Sequence, residues 1–210
     1  MILVGQYDSP YVRRVAVALH IYAMPFTRNT TSVFADADAM RKINPLGRVP
    51  SLILDDGEVL IDSAAILDHL DEVAGRARAL MTADGAERRR ALHITAIATG
   101  ALDKAIALSF ERLLRPKATQ HPPFIARNLE QLRSALDALE AVPKSPWVLG
   151  AHLTHADIAI GCLIGYLRLR APDALEPDRH SSVFALAAAF EASPAFIAAR
   201  PSDAETLPSN

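Results

Sequence analysis

A chain of 210 residues with 50% hydrophobic side chains can bury one large domain or two small ones. Its 22 Lys+Arg balance 24 Asp+Glu to a formal net charge of -2, which argues against nucleic acid as a partner and against an acidic tail. The single cysteine, Cys162, cannot form an internal disulfide, so a reducing compartment is expected.

The first apolar run, Ile2 to Val4, is too short for a signal peptide and is broken by Gln6 and Asp8; it reads as a brief strand. Ser9-Pro10 then opens a helix, with Val12, Val15, Ala16 and Leu19 at helical intervals. Phe26 to Thr31 is weakly strand-like, and Met40 to Ile43 ends a short helix before Asn44-Pro45. Ser51–Leu54 and Val59–Ile61 flank Asp55-Asp56-Gly57, a hairpin signal. Ile66, Leu70 and Val73 mark a further helix. The order β-α-β-α-β-β-α predicts an α/β sheet with one antiparallel edge over residues 1–77.

The stretch GRARALMTADGAE, residues 75–87, reads as a linker into an all-helical domain over 86–200. Glu87 to Arg115 predicts one helix of about 29 residues, about 44 Å long. Pro116, Pro122 and Pro123 interrupt the pattern before the stripe Ile125, Leu129, Leu132, Leu136 and Leu139. Thr154 to Leu167 is apolar nearly all round, which predicts a central buried helix. Its longest apolar run, Ile158 to Leu167, is far short of the ~20 residues of a membrane span. Val183–Ala192 and Ala195–Ala199 read as short terminal helices, and residues 201–210 as a loose polar tail. A soluble cytoplasmic protein without a membrane partner is expected.

Four motifs carry candidate chemistry. Ser9-Pro10 is at least a helix cap; a helix N-terminus also stabilises an anion, a thiolate included. In NPLGRVPSL, Asn44 to Leu52, a proline before a strand is an entry turn; a cis Val49-Pro50 bond would offer the Val49 backbone to an extended peptide as an added strand. In LIDSAAILDHL, Asp62 or Ser63 caps a helix whose start can also bind a carboxylate, with Ser63 donating and Asp62 accepting from an amine. Thr154-x-x-Asp157 is read as a structural capping box. His152 and His155 lie close, but no cysteine or acidic partner completes a metal set, so no metal site is assigned. Cys162 reads as an inert core residue.

Taken in order, these motifs resemble the cytosolic glutathione transferase family, in its serine-type, bacterial-like branch. NPLGRVPSL and LTHADI are the more specific parts, and the resemblance covers roughly residues 1–200. It implies a thioredoxin-like βαβαββα domain followed by an all-helical domain, a homodimer, and glutathione as co-substrate with no metal. It implies that Ser9 activates the thiol, with Tyr7, at the end of the first strand, as runner-up. Val49 would pair with the cysteinyl backbone beside cis-Pro50, Asp62 and Ser63 would hold the γ-glutamyl end, and Arg48 would lie near the glycyl end. Tyr11, Phe34, Ser109 and Leu113 would wall the site of a small electrophile between the domains. Asp62 stands where the family commonly has Glu, one methylene longer, and position 9 is not the cysteine of the branches that form a mixed disulfide with glutathione.

The activity so implied is glutathione transfer in detoxification, by attack of the thiolate on an electrophilic, largely apolar small molecule. A glutathione-dependent isomerase or dehalogenase is the enzymatic alternative, and a non-catalytic module binding glutathione or a hydrophobic ligand is the other.

Overall fold

The computed structural model describes residues 1–82 and 84–205. β1 (Ile2–Val4) lies inside a four-stranded sheet of order β2-β1-β3-β4. It runs parallel to β2 (Thr27–Asn29) and antiparallel to β3 (Ser51–Ile53), which runs antiparallel to β4 (Val59–Ile61). The expected antiparallel edge is present in the β3–β4 hairpin, with β4 at the edge. The strand that opposes the others, β3, is interior, because the tight turn at Asp55–Gly57 sets β4 directly outside it.

α1 (Pro10–Tyr22) and α3 (Ser63–Ala74) pack on each other and on the sheet, whereas the short α2 (Ala37–Ile43) buries only Met40. Leu3, Val4 and Leu52 from the sheet meet Val12, Val15 and Leu19 of α1 and Ile66 and Leu70 of α3 in a core closed to solvent. Each such side chain contributes about 1.5–3 kcal/mol by leaving water. Val73, expected on the same stripe, is 58% exposed, since the buried face of α3 is Ser63, Ile66, Leu67, Leu70 and Asp71, and Val73 lies to one side of it.

Two units separate by their contacts: residues 1–82 with 192–205, and residues 84–191. This differs from the expected helical domain over 86–200, because α8 (Pro194–Ala198) packs on α1, with Phe196 fully buried. The Arg13 guanidinium lies over the Phe196 ring and donates from Nε to the Ala199 carbonyl at 3.1 Å. The tail is corrected too. Residues 201–205 are held by a buried Glu205, while 206–210 lie outside the described residues. The first part of the expected linker is likewise fastened. Asp71 accepts from the Tyr22 hydroxyl, from Leu80 N–H at 3.3 Å and from Met81 N–H at 3.1 Å. Burial, and then the bond to Asp71, push the Tyr22 phenol well above its ordinary value.

In the second unit α4 (Gly85–Leu113) has the predicted 29 residues and packs on α5 (Pro122–Glu140) and α6 (His155–Arg170). Among the described residues it is the one helix long and apolar enough to cross a membrane by length and composition, a case the apolar-run count did not detect. Ala91, Ile94, Ala98, Leu102 and Leu108 form its buried face. α6 is buried continuously from His155 to Ile164, as its all-round apolarity predicts. On α5, Leu132, Leu136 and Leu139 are buried, with Ile125 and Leu129 half-buried. α7 (Ser181–Glu191) packs on α6, and its first amides, Ser182 and Val183, donate to Glu140 at 3.0 Å each.

Thr154 and Asp157 form the capping box that starts α6. The fully buried Asp157 carboxylate accepts from Thr154 N–H at 2.9 Å, Thr154 O–H at 2.7 Å and Val148 N–H at 2.8 Å. Burial pushes its carboxyl up, and those donors only partly offset the rise.

Candidate functional site

The ladder itself gathers the candidate residues. Val4 pairs with Ser51, and Ser51 pairs with Ile61, so these three residues stand in one row across β1, β3 and β4. At that row β1 leaves toward Ser9, β3 has just been entered from Val49-Pro50, and β4 leaves into Asp62-Ser63. Three loops far apart in sequence therefore open at one end of the sheet. Two strand spacings make that row about 10 Å wide, which matches an extended tripeptide.

Gly5 lets two of these loops converge. Its φ is +127°, and a Cβ there would lie 2.5 Å from Val12 Cγ2 and 2.9 Å from Val49 Cβ. No L side chain fits between the first turn of α1 and the loop before β3. The chain then turns, with Ser9 N–H donating to the Gln6 carbonyl at 3.1 Å. Ser9 caps α1 in extended geometry, and its Oγ accepts from Val12 N–H at 3.4 Å. That contact uses a lone pair and leaves the hydroxyl proton to donate elsewhere. Capping and stabilising an anion at the helix start are therefore compatible roles for one side chain.

Val49-Pro50 is cis, as the added-strand reading required. The preceding loop is fixed by buried Asn44, whose Nδ2 donates to the Arg48 carbonyl at 2.8 Å and whose Oδ1 accepts from Leu46 N–H at 3.0 Å. The Arg48 side chain itself is exposed. Asp62 caps α3, its Oδ1 accepting from Ala64 N–H at 3.0 Å and from the buried Ser63 hydroxyl at 3.3 Å. The expectation had Ser63 donating outward; here its hydroxyl donates to Asp62.

Tyr7 sits differently from Ser9. Its ring is buried under the Arg28 guanidinium, 3.4 Å from the ring centre, and its N–H donates to Glu205 at 3.1 Å. Burial raises the phenol above its ordinary value, although Arg28 pulls the other way.

Of the expected electrophile walls, Tyr11 is half-buried in the first turn of α1, and Phe34 is 47% exposed in the loop before α2. Ser109 is buried in the helical unit with its hydroxyl donating to the Ala105 carbonyl at 2.8 Å, and Leu113, the last residue of α4, is half-buried. Among the described residues no group of three or more His, Cys, Asp or Glu is placed to hold a metal ion.

Sequence reasoning missed Gly5, Asn44, Arg28 and Glu205. For Gly5 and Asn44 a signal was present, a glycine ending a strand and an Asn-Pro turn start. For Arg28 and Glu205, far apart in sequence, there was none.

Residues 3–78 match the family profile described as glutathione S-transferase, N-terminal domain, and residues 122–196 match the corresponding C-terminal domain. The GST-like protein YibF of Escherichia coli K12 is 32% identical over 170 residues, which cover 81% of this chain and 83% of that protein. The chain belongs to the glutathione S-transferase family. Two solved glutathione S-transferases extend the likeness over the whole fold. One from Methylobacterium radiotolerans, in complex with glutathione sulfonate, has a TM-score of 0.89 at 28% identity and covers 100% of this chain and 98% of its own. A glutathione transferase family member from Pseudomonas fluorescens Pf-5, with bound glutathione, has a TM-score of 0.86 at 33% identity and covers 96% and 98%. Residues 3–78 are accordingly the thioredoxin-like domain of a glutathione S-transferase, and residues 122–196 lie in its helical C-terminal domain.

Proposed function

We propose that the protein binds glutathione along the sheet end where β1, β3 and β4 open, and that Ser9 donates its hydroxyl proton to the sulfur. One observation carries the reading: the row Val4, Ser51 and Ile61, which brings the Ser9 turn, Val49-Pro50 and Asp62-Ser63 to one end of the sheet. Val49 would pair with the cysteinyl backbone beside Pro50, Asp62 and Ser63 would receive the γ-glutamyl group, and Arg48 would approach the glycyl carboxylate.

A free thiol with pKa about 8.5 is only a few per cent thiolate at neutral pH. Lowering that value by about two units requires about 2.7 kcal/mol of differential stabilisation, which a hydroxyl donor at a helix N-terminus can supply. The thiolate then attacks an electrophilic carbon, forming a C–S bond as the leaving group departs with its electron pair or the electrons move into a conjugated acceptor. Tyr11, Phe34, Ser109 and Leu113 are the residues proposed to contact that small, largely apolar molecule. The Ser109 proton is already donated to Ala105, so its hydroxyl would present only accepting lone pairs. The role is that of a cytoplasmic detoxification enzyme that acts as a homodimer.

Titration with glutathione followed by a panel of electrophiles tests the reading. A depressed thiol pKa with adduct formation is expected. Binding without turnover of any electrophile would leave a glutathione-binding module, and isomerisation or dehalide release in the same panel would select the other enzymatic readings. No binding at millimolar glutathione would remove the proposal. Light scattering at micromolar concentration is expected to give twice the chain mass of 22.7 kDa; a single-chain mass would remove the dimer.

A further inference from the structure

Glu205 is a buried carboxylate near the end of the chain, only 8% exposed. A carboxylate leaves water only where donors replace it. Here the donors are Tyr7 N–H at 3.1 Å, Ser202 N–H at 3.1 Å, the Ser202 hydroxyl at 3.0 Å, and the Arg28 guanidinium. Two of these contacts hold the C-terminal segment to itself. The other two reach the opposite end of the sequence.

Both of those meet the same residue. Tyr7 gives Glu205 its backbone N–H, and its ring lies under the Arg28 guanidinium that Glu205 pairs. Tyr7 belongs to the turn that Ser9 closes through its bond to the Gln6 carbonyl. The turn is thus gripped at its middle, by the backbone from one side and by the ring from the other. The segment that supplies the grip is itself secured on α1, through Phe196 under Arg13 and the Ala199 carbonyl on Arg13 Nε.

We propose that Glu205 is a positioning residue for the thiol site: through the Tyr7 N–H and Arg28, the C-terminal segment holds the turn that aims the Ser9 hydroxyl. This rests on the assignment of Ser9 to the glutathione sulfur. Without Glu205 the Tyr7 N–H is left buried without its acceptor and Arg28 without its counter-charge. The turn then relaxes toward other acceptors and the Ser9 hydroxyl moves with it. Reach matters here as well as charge. Asp at 205 keeps the charge but ends about 1.5 Å short of the Tyr7 N–H. Gln keeps the length and one oxygen for the Tyr7 N–H, but it loses the charge opposite Arg28 and turns its Nε2 toward the Ser202 donors.

The test is made on the full chain with Glu205→Ala, Glu205→Asp and Glu205→Gln. It follows thiolate absorbance of saturating glutathione against pH, glutathione Kd by calorimetry, and melting temperature. Expected is a rise of about one unit in the bound thiol pKa for Glu205→Ala, hence about tenfold less thiolate below that pKa. Glu205→Asp should rise too, and Glu205→Gln should rise less than Glu205→Ala. Kd should change less than the thiol pKa, because Val49, Asp62 and Ser63 are not touched. If Glu205→Ala does not fold, the Asp and Gln variants decide by the same rule. Thiol pKa values equal to wild type in the folded variants, with only the melting temperature lowered, would overturn the inference and leave Glu205 a tether for the chain end. A wild-type protein whose bound glutathione titrates normally would instead remove the Ser9 assignment, and this inference with it.

Discussion

The sheet end of the first unit and the apolar helix pack of the second are built by different means. Around the sheet end, every strand is three residues long, and position is set by backbone: a glycine at φ +127°, a cis proline, two helix caps and a buried asparagine. In the helical unit, position is set by apolar side chains at regular intervals, with Leu132, Leu136 and Leu139 on α5 and Ile158 to Ile164 on α6 closed to solvent. A backbone-built region places polar groups accurately but tolerates little change. A side-chain-built region tolerates conservative change and says little about chemistry, because apolar walls accept many molecules.

The largest expected effect follows from the intolerance of the sheet end. Gly5→Ala forces a Cβ to within 2.5 Å of Val12 and 2.9 Å of Val49 at a φ that L residues rarely adopt. Strain and overpacking together are expected to cost about 3 kcal/mol of stability, read by urea denaturation. Glutathione affinity should weaken alongside, since Val49 is displaced. A variant of wild-type stability would mean that the loops are not locked together at this point.

Next in size is Ser9→Ala. Loss of one preorganised donor is expected to cut turnover about 10²-fold and to raise the bound thiol pKa, with a smaller change in glutathione Kd. Tyr7→Phe should change the thiol pKa little, because that residue is held as a brace under Arg28. Thiolate absorbance against pH in both variants reads the difference. A raised pKa in Tyr7→Phe and a wild-type titration in Ser9→Ala would reverse the roles, and Ser9 would be the helix cap alone.

The two regions were also unequally legible. Short-range signals located every helix: Ser9-Pro10 for α1, Asp62-Ser63 for α3, Thr154-x-x-Asp157 for α6, and leucine spacing for α5. The hairpin around Asp55–Gly57 was legible for the same reason. What failed was long-range. The interior place of β3 depends on pairing with β1, some fifty residues away, and no local pattern encodes it. Glu205 looked like part of a polar tail because its partners, Tyr7 and Arg28, lie at the other end of the chain. Val73 fitted the spacing of Ile66 and Leu70 yet is exposed, because the face they share is centred toward Leu67 and Asp71, and three apolar positions do not fix its centre. The candidate site was legible as motifs; the row that joins them became visible only in the ladder.

The helical unit offers the control for these sheet-end effects. Thr154→Ala removes one side of the α6 capping box and is expected to lower stability by about 1 kcal/mol. It should leave glutathione affinity unchanged, since the box belongs to the second unit. An unchanged melting temperature would count against the cap as a stabilising element. A weakened Kd would show that the helical pack reaches the sheet end energetically.

The smallest expected effect is a dependence on acid that both units share. Burial alone would raise the carboxyls of Glu205 in the first unit and Glu140 in the second. Backbone N–H donors outweigh it, Ser202 and Tyr7 for Glu205, Val183 and Ser182 for Glu140, and both carboxyls stay below their ordinary 4.5. A carboxyl lowered in the folded state releases its proton more readily there than in the unfolded chain. Its stabilisation is therefore complete above about 4.5 and is lost as pH falls through the lower folded value. Asp157 has the opposite sign: burial raises its carboxyl, so its contribution is complete below its ordinary value and is lost as pH rises through the higher folded value. The second unit holds further lowered carboxyls, Asp137 through its bond to His180 and Asp173 through its bond to Arg112, so Asp157 offsets only part of its acid dependence. Melting curves from pH 6 to pH 3 test this. Glu205→Gln and Glu140→Gln should each flatten the loss of melting temperature toward acid. An acid dependence that Glu205→Gln leaves unchanged would mean that its donors do not hold the Glu205 carboxyl below its ordinary value.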